Sequence, residues 1–356
     1  MNAQRIATVR KHLNALRLDA LLVTALPQIR YLTGFSGSHA CCILTAQKQF
    51  LFTDGRYKVQ VKEEVRGFRT FITPKSLFEE MKTRNVLPKK GRIGYNPSVL
   101  HVTEFENLKS FFPHLRFVKT RNVVQSLSAV KDDQEIELIR KAVAISDEVF
   151  KALLPVLKDG VSELDIAAEI VYQHRRRGAE ADAFEPIVAS GVRGALPHAR
   201  ATAKKIQRGD LVTLDFGCRV AGYHSDLTRT VAVGTPSERC RSIYEAVRKS
   251  QQLALDAARN GMKAKDLDAV ARRSIKASGY AKYFPHSLGH GLGLEVHELP
   301  RVSALSTDIL QTGNVVTIEP GIYVPGVGGV RIEDDVVIRD HHAEVLSTSP
   351  KELMIL

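Results

Sequence analysis

GDLVTLDFG (209–217) and GNVVTIEPG (313–321) are two versions of one phrase, each a glycine, a polar residue and an apolar run that ends on an acid. They align without a gap, setting Gly209 against Gly313 and Asp215 against Glu319. Two amphipathic helical segments precede each copy, 134–157 and 163–177 before the first and 237–259 and 265–278 before the second. Ser162 and Asp165 form an N-cap pair for the helix that runs to about Arg177. The repeated order of helix, helix and strand predicts a duplicated unit whose halves pack about a pseudo-two-fold axis. Their acids would then face one another across that axis.

Each half carries a second acid. Asp226 lies in GYHSDLTRT (222–230), and a chain reversal at Val220–Ala221 sets it opposite Asp215. Cross-strand neighbours lie about 5 Å apart, and two anions that close need a cation or a shared proton. In the second half Pro320 holds Glu319 extended, and Glu333 follows the glycine-rich loop VPGVGG (324–329) within GVRIEDDVVI (329–338). One acid on an apolar strand has the bland alternative of a turn or capping role. Four in a repeat, amid Val, Leu and Ile, point to a metal cluster.

FPHSLGHGLGLEVHELP (284–300) offers nitrogen ligands. His286 and His290 are four apart, but Gly289, Gly291 and Gly293 disfavour a helix, so the segment reads as loop and strand. His297-Glu298 begins like HExxH, but Arg301 stands where the second histidine would be. The glycines do not make a dinucleotide fingerprint either.

The length, 356 residues, suits two domains. Hydrophobic residues make up 44% and charged ones 25%, which excludes a fibrous or disordered chain. No apolar run reaches the roughly 20 residues of a membrane span. The Arg-rich, acid-poor start raises a transit peptide, yet Ile6, Val9, Leu13 and Leu16 keep helical spacing and run into the strand-like DALLVT (19–24). The expectation is the first helix of a folded domain in a cytoplasmic protein. Cys41, Cys42, Cys218 and Cys240 lack CxxC spacing and read as buried reduced thiols. Alternating helical and strand patterns over residues 1–125 predict a smaller α/β domain with a mixed sheet, followed by an α+β domain over 126–356. The net charge of +12 is confined to the first: residues 1–125 carry 21 Lys/Arg against 8 Asp/Glu, the remainder 30 against 31. The basic residues are dispersed and lack interleaved aromatics, so a solvated surface is preferred to a nucleic-acid face.

Asp215, Asp226, His290, Glu319 and Glu333, within DFG, SDLTRT, GHGLG, IEPG and RIED, resemble the metal set of the pita-bread metallopeptidases. SGVRGALPHARAT (190–202), with His198, makes the chain similar to the Xaa-Pro branch, aminopeptidase P and prolidase. The resemblance spans nearly the whole chain, since residues 1–125 look like the amino-terminal domain of those enzymes. It implies a pita-bread catalytic domain and two divalent cations on those five residues. The oxygen-rich donors favour Mn²⁺, with Co²⁺ or Zn²⁺ as alternatives. It further implies that Glu319 relays a proton, that His297 donates to the developing oxyanion, and that His198 and His286 orient substrate. Arg331 is a candidate anchor for the metal shell or for a substrate carboxylate, or a plain salt bridge. The implied reaction is cleavage of Xaa-Pro bonds in small peptides with a free amino terminus. Aminopeptidase is preferred to dipeptidase, and a homodimer is the family expectation. The rival from another class is a non-enzymatic binding protein on the same scaffold.

Overall fold

The computed structural model describes residues 2–356. The chain divides into two compact units, Met1–Ser128 and Ala129–Leu356. In the first, α1 (Asn2–Ala15), β1 (Ala20–Val23), α2 (Leu26–Thr33), β2 (Ala40–Thr45), β3 (Gln49–Thr53), α3 (Gln60–Glu64), β4 (Arg69–Ile72), α4 (Leu77–Thr83), β5 (Gly91–Tyr95), α5 (Val102–Phe111), β6 (Leu115–Lys119) and α6 (Gln125–Ser128) follow in order. The six strands form one sheet, ordered β4-β3-β2-β1-β5-β6. It is mixed, because β2 runs antiparallel to both β1 and β3 while the outer pairs are parallel. Strands β1 to β3 are almost wholly buried, which accounts for their unbroken apolar runs.

The second unit opens with α7 (Asp133–Leu153), α8 (Glu163–Arg176), β7 (Ala181–Asp182), β8 (Ile187–Ser190), β9 (Leu211–Phe216), β10 (Cys218–Val220), β11 (Tyr223–His224) and β12 (Leu227–Ala232). It continues with α9 (Glu238–Ala257), α10 (Ala264–Ala277), β13 (Gly289–Gly291), β14 (Glu298–Val302), β15 (Val315–Ile318), β16 (Gly321–Val324), β17 (Gly328–Arg331), β18 (Asp334–Ile338) and β19 (Ala343–Val345). Both helix pairs begin on side-chain caps. Ser162 and Asp165 form a reciprocal capping box on α8, Asp132 and Glu135 do so on α7, and Ser237 caps α9. No helix among the described residues is long and apolar enough to cross a membrane. All four cysteines are free and buried.

The repeat in the sequence is a repeat in the fold. β9 lies between β8 and β12, and β15 lies correspondingly between β13 and β18, all antiparallel. Gly209 and Gly313, which open the two phrases, have φ of 95° and 89°, a region that favours glycine. The halves join along β12 and the end of β17, where Thr228 bridges Glu333.

The first hairpin turns one residue later than the sequence suggested. Val220 pairs Tyr223, so Ala221 and Gly222 form a two-residue turn with φ of 48° and 86°, the type I′ pattern. Asp215 therefore faces Thr228, and Asp226 sits diagonally, two residues along. A shift of two preserves the side-chain parity, so both acids keep the same face. An L-residue at positive φ costs about 1–2 kcal/mol, partly offset by the backbone freedom of glycine. Ala221→Gly is thus expected to stabilise the second unit by about 1 kcal/mol, raising its melting temperature by roughly 2–4 °C. A lower melting temperature would contradict this turn.

Candidate metal centre

The acids converge because of where the strands end. Asp215 is the penultimate residue of β9, and Asp226 directly precedes β12. In the second half the β15–β18 and β16–β17 ladders share one register, so Glu319 and Glu333 face each other in the gap between them. The join of the halves brings the two pairs together. The Glu333 amide donates to Thr228 O (3.1 Å), the Thr228 hydroxyl donates to the Glu333 carboxylate (2.5 Å), and the Asp226 amide donates to Asp335 Oδ2 (2.8 Å).

His290 arrives on β13, where its amide donates to Thr317 Oγ1 (3.1 Å). The flanking glycines permit this approach: a Cβ on Gly289 would lie 2.0 Å from Thr317 O, and one on Gly291 2.1 Å from Leu299 O. A carbonyl only accepts, so the 3.1 Å contact between His290 Nδ1 and Gly291 O assigns the proton to Nδ1. Nε2 then presents a lone pair, 3.5 Å from Glu319 Oε1 and 3.8 Å from Asp226 Oδ2. Ligand atoms of Asp226, His290 and Glu333 all lie within 4.8 Å of one another. Glu319 is the remaining neighbour, and the charge of Asp215 acts on Asp226, Glu319 and Glu333.

The electrostatics show a cluster short of positive charge. Burial, then Glu333 and Asp215, hold Asp226 well above the ordinary carboxylate range. Burial and Glu319 do the same to Glu333. Burial pushes Glu319 up to about 8, against the pull of Arg331. Burial and the charge of His297 press His290 down to about 4, which keeps the imidazole neutral and able to bind metal. Asp215 Oδ1 and Asp226 Oδ1 are buried without a hydrogen-bond partner. Orphaned carboxylate oxygens beside a neutral, correctly protonated imidazole fit a divalent cation with hard ligand preference.

The other predicted residues fall into two groups. His198 and His297 are exposed, with the His297 ring 4.3 Å from that of His290, and His198 lies within electrostatic reach of both His286 and His297. Arg331 and His286 are engaged inside the protein. Arg331 is buried, ion-pairs with Asp215, and donates to Tyr323 OH (2.7 Å), Pro197 O (3.2 Å) and Thr228 Oγ1 (3.2 Å). Of the roles open to Arg331 in the sequence, this geometry supports the metal-shell anchor, since few of its N–H groups are left for a substrate carboxylate. Tyr323 OH also lies 2.9 Å from His286 Nε2, and His286 Nδ1 donates to Ser287 O (2.8 Å).

Several supporting residues were not singled out in the sequence. Arg229, fully buried on β12, donates to Glu333 O (2.5 Å), Asp334 Oδ1 (2.6 Å) and Ser349 O (2.8 Å). Gln251 and Lys351 donate to the other Asp334 oxygen, at 2.7 and 3.0 Å. Asp268 on α10 accepts from the Leu288 amide (3.0 Å) and pairs with Arg272, which donates to His286 O and steadies the histidine segment. The available signal was a charge in the middle of an apolar strand, as in LTRTVA, or the further acids that follow RIE.

Comparison with known proteins agrees with this geometry. Residues 137–340 match metallopeptidase family M24, and residues 5–130 match the creatinase/prolidase N-terminal domain. The chain belongs to metallopeptidase family M24. A Xaa-Pro dipeptidase of Pyrococcus furiosus is 38% identical over 99% of each chain. The structure superposes on a Xaa-Pro dipeptidase from Bacillus anthracis with a TM-score of 0.97, at 35% identity and complete coverage of both chains. An X-Pro aminopeptidase from Thermotoga maritima MSB8 gives a TM-score of 0.89 at 36% identity, covering 96% of this chain and 98% of that one. The fold is thus that of the pita-bread enzymes, and the chain is a metallopeptidase of that group.

Arg229→Met is expected to lower stability by about 3 kcal/mol, because Asp334 loses a buried partner. Metal affinity should fall roughly 10- to 100-fold as Glu333 loses its backbone tether. Urea unfolding and metal titration check the two effects separately.

Proposed function

We propose that the chain is a Xaa-Pro dipeptidase whose Asp215, Asp226, His290, Glu319 and Glu333 hold two divalent cations, with Mn²⁺ favoured by the oxygen-rich donors. The observation that carries this reading is the buried donor set itself, with orphaned carboxylate oxygens and a free imidazole lone pair. Dipeptidase is preferred to the aminopeptidase reading that the sequence suggested, because similar proteins at full coverage carry that name. The Thermotoga structure keeps aminopeptidase as the second reading.

When bound, the cations supply Lewis acidity and make a water acidic enough to ionise near neutral pH. Glu319 lies at the partly exposed edge of the cluster, where its carboxyl can pass a proton to the proline nitrogen as the bond breaks. The leaving nitrogen needs this proton, since an amide anion is too basic to depart; before the cut the proline amide, which has no N–H, can itself only accept hydrogen bonds. His297, whose ring lies 4.3 Å from that of His290, donates to the carbonyl oxygen as it gains charge. His198, on the loop that follows β8, binds and orients the peptide. His286 and Arg331 orient it indirectly, by fixing Tyr323, Pro197 and Asp215.

Asp226→Ala and His290→Ala are each expected to lose metal and turnover while the fold survives, as read by metal analysis and circular dichroism. His297→Ala should retain metal yet lose about 100-fold or more in kcat; full activity in that variant would remove its assigned role. Xaa-Pro dipeptides should be cleaved faster than Xaa-Pro-Xaa tripeptides after metal loading, and the reverse order would establish the aminopeptidase reading.

A further inference from the structure

From Ser190, the last residue of β8, to Thr202, the segment that carries His198 has no regular structure beyond a short 3-10 turn at Gly191–Ala195. A loop that must place a side chain needs fixing from outside itself. Its two ends meet at one carboxylate. Glu163, in the first turn of α8, is fully buried. Its Oε1 accepts from the Ser190 amide and hydroxyl, both at 2.9 Å. Its Oε2 accepts from the Thr202 amide (3.1 Å) and hydroxyl (2.8 Å). Arg193 Nε spans both oxygens at 3.2 and 3.0 Å, while Arg193 Nη2 donates to Arg200 O (2.6 Å) across the loop. Nothing in the metal cluster or the proposed reaction uses this carboxylate.

We propose that Glu163 is a positioning residue that clamps both ends of the 190–202 loop and thereby sets His198 over the metal centre. The inference rests on the role given to His198 above. The geometry has a specific chemical requirement. The Oε1 side receives three donors and the Oε2 side three, so an ionised carboxylate satisfies all of them. A glutamine would present N–H groups to donors on one side and loosen that end of the loop, which keeps only its backbone bonds. The start of α8 supplies separate anchors, since the Glu163 and Leu164 amides donate to Lys204 O and Thr202 O (both 3.1 Å). These bonds survive Glu163→Gln. At its far side the loop rests on β17, where Gly194 packs on the Gly329 backbone and Pro197 O accepts from Arg331. The clamp thus controls the loop's ends while its middle stays seated beside Asp215's partner.

The test compares Glu163→Gln, His198→Ala and the double variant in the metal-loaded enzyme on a Xaa-Pro dipeptide, together with hydrogen exchange of the loop amides. Glu163→Gln is expected to lower kcat/KM by up to about 100-fold, as for a group misplaced by about an ångström. Metal content should be unchanged and exchange across 191–201 faster. In the His198→Ala background the same substitution should cost little more. Losses that simply multiply, or loop exchange that stays at the wild-type rate, would overturn the proposal. Thr202→Val, which removes one hydroxyl donor and preserves shape, should shift exchange and kcat/KM in the same direction by less. It carries the test if Glu163→Gln does not fold, and unchanged exchange in it counts against the clamp. A fully active His198→Ala would refute the role of His198 itself and make the double variant uninformative, so the clamp is then judged by exchange alone: faster loop exchange in Glu163→Gln supports it and a wild-type rate overturns it.

Discussion

Carboxylates that repel one another are held together in an apolar seam, and much of the second unit serves that constraint. Asp215, Asp226 and Glu333 are buried, Glu319 lies beside them, and Asp335 is a further buried acid one step behind. Concentrating that much negative charge away from water is costly unless cations and hydrogen bonds offset it. The protein supplies part of the offset: Arg331 on Asp215, the Thr228 hydroxyl on Glu333, and the Asp226 amide on Asp335. The unpartnered oxygens of Asp215, Asp226 and Asp335 mark what it does not supply. A cluster with such a deficit is a poor structural ornament and a good cation receptor.

Two kinds of scaffold hold the cluster. The acids sit at the ends of paired strands, where ladder register fixes their separations, and the join between repeats locks one pair against the other. Behind them Arg229, Lys351 and Gln251 gather on Asp334, the first residue of β18, and Asp147 on α7 accepts from Thr348 and Ser349, so the final stretch of the chain is tied both to the residue after Glu333 and to α7. The histidines depend on less regular backbone. His290 lies on a short strand, His286 is held through Asp268 and Arg272, and His198 rides a loop. Sites that combine rigid ligands with loop-borne groups need the loops fixed separately, which gives the buried Glu163 and the buried Lys131–Glu298 pair beside His297 their significance.

Much of this was legible in the chain. The duplicated phrase announced the repeat, because the same strand in the same environment demands the same apolar run and the same opening glycine. The acids stood out because carboxylates in such runs are rare without a purpose. Helix starts could be read at Ser162 because capping is a local interaction. The hairpin turn was placed one residue early, because both positions put the same side chains on the same face and only the positive φ of Ala221 and Gly222 tells them apart. The side-chain parity survived because a shift of two restores it.

Residue types and spacing by themselves pointed to the α/β first unit, the duplicated second unit, and the four acids and one imidazole that belong together. They did so because periodicity, caps and buried charge are properties of short stretches. Only the tertiary structure decided that Asp215 faces Thr228, that Arg331 is engaged by Asp215 and Tyr323, and that one carboxylate on α8 gathers both ends of a loop 27 to 39 residues further along. Those pairings join residues far apart in the chain. Their energies depend on burial and geometry, which exist only once the elements have packed.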